Sequence, residues 1–68
     1  MNRIPRTFDH ILAEAMTNSN AGRAGDLFYV VKTDNGYIGT NTRTEKEYSV
    51  FPNSLRNDHY FKFVEVVA

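Results

Sequence analysis

The sequence predicts an α+β domain in which an N-terminal helix packs on a bent four-stranded antiparallel sheet or small barrel. Three observations lead there: apolar residues near the N-terminus recur at helical spacing, the hydrophobic period becomes that of strands after Asp26, and Asp34-Asn35-Gly36 supplies a hairpin signal. With 68 residues, 41% apolar, 24% charged and 13% aromatic, the composition is that of one folded domain rather than a disordered tract.

Phe8, Ile11, Leu12, Ala15 and Met16 fall at i, i+3, i+4, i+7 and i+8, which is one apolar stripe of a helix. Thr7 suits its N-cap, Asp9 lies in the first turn where the helix dipole favours a negative charge, and Asn18, Ser19, Asn20 and Gly22 are stop signals. The helix is therefore placed at about residues 7–18, with Gly22 as its C-terminal cap and Asn18 to Gly25 as a loop. Strands are placed at about 27–33, 37–42, 46–51 and 59–67. The first and last carry apolar groups on both faces, the second is threonine-rich, and the third stops at Pro52, which cannot donate to a ladder. Two hairpin registers stay open. A loop of Asn35-Gly36 puts Ile38 on the face of Tyr29 and Val31, whereas a loop of Asp34-Asn35-Gly36 puts it with Phe28 and Val30.

Gly25-Asp26-Leu27, Val30-Val31, Asp34-Asn35-Gly36-Tyr37-Ile38-Gly39 and Phe51-Pro52-Asn53-Ser54-Leu55 follow one another in an order and rough spacing that resembles the middle of an SH3-like small β-barrel. The resemblance covers under half of the chain and implies a small barrel and a binding role. The family's first strand and acidic specificity loop have no counterpart, because the predicted helix occupies that stretch. Ile38 stands where the family has a second aromatic and Leu55 where it has a binding tyrosine, so the proline-peptide pocket is incomplete.

Eight Lys and Arg balance eight Asp and Glu, which argues against a nonspecific binder of phosphate backbones. No cysteine is present, so disulfides and thiolate metal sites are excluded, and His10 and His59 are too few to form a zinc ligand set. Neither histidine has a paired nucleophile; the pair Glu45 and Glu47 reads as a solvated strand edge rather than an acid/base couple. The glycines follow the predicted helix instead of opening one, so they do not cradle a phosphate. The expectation is a chain that is not an enzyme and has neither cofactor nor metal. The N-terminus has no apolar core of signal-peptide length and no stretch approaches a membrane span, so a cytoplasmic protein without membrane contact is expected.

Nine aromatic residues exceed what so small a core can hide, and tyrosine is the type that buries its ring while keeping its hydroxyl wet. A core-rim role accounts for some of these tyrosines. The rest point to a noncatalytic protein-binding module using Tyr29, Tyr37, Tyr48, Pro52 and Leu55, a small regulator or inhibitor docking on a larger protein, of the kind that phages and mobile elements make. The alternatives are a nucleic-acid-binding barrel using Arg43, Lys46, Arg56 and Lys62 beside the tyrosines, and a homodimer or higher homo-oligomer paired through the apolar last strand.

Overall fold

The computed structural model describes residues 4–67, over which the chain forms five strands and one helical turn. These are β1 (His10–Ala15), β2 (Leu27–Thr33), β3 (Gly36–Asn41), β4 (Glu47–Val50), α1 (Pro52–Leu55) and β5 (Phe61–Val66). All sheet neighbours pair antiparallel, in the order β4-β3-β2-β1-β5.

The predicted N-terminal helix, and with it the α+β class, is overturned: residues 10–15 are a strand flanked on both sides, and the sheet has five strands rather than four. The cause is a coincidence of periods. Ile11 and Ala15 belong to the helical stripe, but Ile11, Ala13 and Ala15 also alternate at the strand period of two, and all three are buried. As a strand the segment pairs its main chain with β2 on one side and β5 on the other while facing Val30 and Phe28 across the first ladder. Non-local pairing on both flanks outweighs a local preference for helix. Thr7 and Gly22 consequently cap no helix. Met16, on the expected stripe, lies beyond the strand and is 43% exposed.

β2 and β3 meet with Thr33 opposite Gly36, leaving Asp34-Asn35 as the loop. Gly36 takes φ +148, which a side chain would strain, and so becomes the first ladder residue of β3. Ile38 then lies opposite Val31, on the face of Tyr29.

The core forms on the other face from Ile11, Ala13, Ala15, Phe28 and Val30, and Leu55 of α1 closes over it. Pro52 starts that helical turn at a position where no main-chain N–H is needed. The alanines of β1 leave room above themselves. Phe28 and Phe61, on strands separated by β1, meet edge to face there at 5.7 Å. A flat sheet would hold β4 and β5 roughly 19 Å apart, yet Tyr48 and Val50 of β4 and Phe61 of β5 pack on the same core. The sheet is therefore curled, and its two edge strands face each other. Among the described residues no helix is long and apolar enough to cross a membrane.

Candidate functional site

Because β4 and β5 approach without pairing, a seam runs between them, and a groove of about 230 Å³ opens along it. One wall is Tyr48, Ser49, Val50 and Phe51; the other is Tyr60 and Phe61; Phe28 and Ala15 form the floor. Thr17, Ser19 and Ala21 of the β1–β2 loop close one end and Ser54 of α1 contributes a hydroxyl. None of these residues carries a charge at neutral pH. Phe51 is 72% exposed and Tyr60 44% exposed, so two aromatic rings stand at the rim in water.

The loop wall is held by a polar cluster under it. Asn41, fully buried, donates from Nδ2 to the Ala21 carbonyl at 3.0 Å and to Asp26 Oδ2 at 3.0 Å. Its Oδ1 accepts the Arg43 amide at 2.8 Å and the Thr44 amide at 3.3 Å, so the buried side chain is satisfied at both ends. Asp26 in turn takes two parallel bonds from Arg43, each 2.9 Å, and one from the Arg23 amide at 2.8 Å. The Arg43 guanidinium, followed by the Arg23 and Asn41 amides, holds the Asp26 carboxyl well below the usual carboxylate range, and Asp26 raises Arg43 in return. Gly22 makes the approach feasible: a Cβ there would lie 2.6 Å from Asp26 Oδ2.

The five residues expected to bind protein are dispersed. Tyr48 lines the groove. Tyr37, stacked on Phe8 at 5.1 Å, and Pro52 border a second depression, of about 540 Å³, across Phe51 from the first. Tyr29 lies on the opposite face of the sheet, edge-on to His10 at 5.4 Å. Leu55 is buried and packs the core, so its side chain meets no partner directly.

The four candidate cations also fall apart. Arg43 is bound to Asp26, Lys62 lies 3.7 Å from Glu14 on the outer sheet face, and Arg56 donates to the Arg6 carbonyl at 3.0 Å. Lys46 is exposed in the β3–β4 connection. His10 packs within the sheet and His59 lies in the turn before β5; among the described residues no three His, Asp or Glu side chains gather to hold a metal.

Sequence reasoning missed Phe51 as a surface group. Its signal was available: Tyr48 and Val50 alternate inward, which turns Ser49 and Phe51 away from the core, and a residue before proline is held extended. No known protein family, curated protein or solved structure shows significant similarity to this chain.

Proposed function

We propose that the chain is a noncatalytic protein-binding module, a small regulator or inhibitor that docks on a larger protein through the seam between β4 and β5. The observation that carries this reading is the uncharged groove with Tyr48 in its wall and Phe51 and Tyr60 at its rim. Its volume of about 230 Å³ is below the roughly 300–1,000 Å³ of sites that engulf a small molecule, and suits the inserted side chains of a larger partner. Exposed aromatic rings of this kind act as anchors in protein interfaces.

The resemblance to an SH3-like small barrel belongs to the same proposal. β1 supplies a strand where the sequence reading had none, which supports it, while the β1–β2 loop has Asp26 as its single acid and that acid is bound to Arg43. The dispersal of Arg43, Lys46, Arg56 and Lys62 favours protein over nucleic acid as the partner.

The test is affinity capture from lysate of the native host, treated with nuclease and washed at two salt concentrations, using the wild type and a Phe51→Ala, Tyr60→Ala double variant checked for its fold by circular dichroism. A stoichiometric protein retained by the wild type and lost from the folded double variant is the expected result. Recovery that disappears with nuclease would replace this reading with nucleic-acid binding.

A further inference from the structure

The seam exposes more than side chains, because β4 is an edge strand with β3 on one side and, among the described residues, no strand on the other. The phase of its ladder is set by the Asn41 amide, which donates to the Lys46 carbonyl at 3.0 Å. In an antiparallel pair the main-chain groups alternate in direction. Lys46, Tyr48 and Val50 therefore turn theirs toward β3, and Glu47 and Ser49 turn theirs outward to the seam. The pairing of Tyr37, Ile38, Gly39 and Thr40 with Val50, Ser49, Tyr48 and Glu47 is continuous, so the open edge carries no bulge.

The other edge differs. β5 carries a register shift opposite Leu12 and Ala13 that leaves Val64 as an extra residue, next to Glu65 and two residues from Lys62. A bulge and charges on an edge strand oppose further pairing. Both strand edges border the groove, and of the two β4, with its unbroken register, is the one prepared to receive a neighbour.

We infer that the groove takes an extended peptide segment of the partner, added antiparallel or parallel to β4 as a further strand, with alternate side chains uncharged and apolar. The inference rests on the protein-binding reading of the groove and specifies its ligand. The Glu47 and Ser49 N–H and C=O groups bond the peptide's main chain; every second peptide side chain then points to the core side, beside Tyr48 and over Phe61. The absence of charge from the lining sets the chemistry: an ionic side chain carried into the groove would meet no counter-ion there. Four residues of β4 make a short ladder, which suits docking of one segment rather than open-ended stacking of sheets.

The test uses the full chain and a random library of short linear peptides displayed on phage. Peptides held by the wild type but not by the Phe51→Ala, Tyr60→Ala variant are synthesised, and each main-chain N–H is methylated in turn. Methylation at alternate positions is expected to weaken binding roughly fivefold or more, with the intervening positions unaffected. Ser49→Pro removes one outward N–H of β4 without touching the β3 ladder, and it should weaken binding similarly while keeping the circular dichroism spectrum. If groove-dependent peptides bind but tolerate methylation throughout, or are sensitive at consecutive positions, strand addition is wrong and the groove reading survives. If no peptide distinguishes the wild type from the groove variant, both fall. The methylation series needs no altered protein, so misfolding of Ser49→Pro would not obscure the outcome.

Discussion

Among the described titratable residues, Asp26 is the one whose protonation equilibrium folding shifts furthest. Its carboxyl titrates near 3.8 when free and well below that when bonded to Arg43, Arg23 and Asn41. Between those two values the unfolded chain binds the proton and the folded chain does not, so stability rises with pH across that window. The contribution is fully present above about pH 5 and is lost progressively as pH falls below 3.8. Urea midpoints of the wild type and Asp26→Asn are expected to differ at pH 7 and to converge as the solution is acidified toward pH 2. A constant offset over that range would show that the Arg43 pair contributes through packing alone. Asp26 is also where sequence reading was least informative, since this loop acid lies 15 residues from the strand asparagine and 17 from the turn arginine, and only chain folding joins it to them.

At the scale of the element, β1 shows how a segment with helical spacing becomes a strand. Ala13 separates the two descriptions, because it is off the apolar stripe of the predicted helix and fully buried in the sheet. Ala13→Leu would be neutral or favourable on a helix surface. In the strand it must enter space already filled by Phe28 and Phe63, which face it from β2 and β5. The expected loss is about 1–3 kcal/mol, measured by urea unfolding; an unchanged midpoint would contradict the burial. β2 is the opposite case. Its run of β-branched and aromatic residues, Leu27–Thr33, states its own conformation, and its apolar content on both faces accords with an inner position in the sheet. The Asp34-Asn35-Gly36 turn was legible as a turn but not in register, because glycine can occupy either the loop or the first ladder position.

Over the whole molecule, the radius of gyration of 10.5 Å agrees with the roughly 11 Å expected for a folded chain of this length. Small size leaves the interior few residues and places Val64, Val66 and Val67 of the last strand and its end in water. The β5 edge is thus apolar but bulged and bracketed by Lys62 and Glu65. Replacing both charges by valine is expected to produce self-association that rises with concentration in sedimentation velocity, while the wild type sediments as a monomer. A wild-type dimer, or a variant that stays monomeric, would contradict the protective role of these two charges. The candidate groove belongs to this scale as well. Tyr48 and Tyr60 were recognisable as surface aromatics, but their convergence depends on the curl that brings opposite sheet edges together, and no local pattern encodes it.

Composition, charge balance and hairpin chemistry are properties of the sequence alone, and with them the presence of a small strand-rich domain, the four strands after Asp26 and an excess of aromatics. The conformation of residues 10–15, the hairpin register, the Asn41–Asp26–Arg43 cluster and the seam were decided by tertiary structure. The register was left open by the freedom of one glycine, and the others depend on contacts between distant residues: Ile11 and Ala15 satisfy two periods until β2 and β5 supply partners, and the free energy of those ladders and of the buried face exceeds what local spacing can contribute.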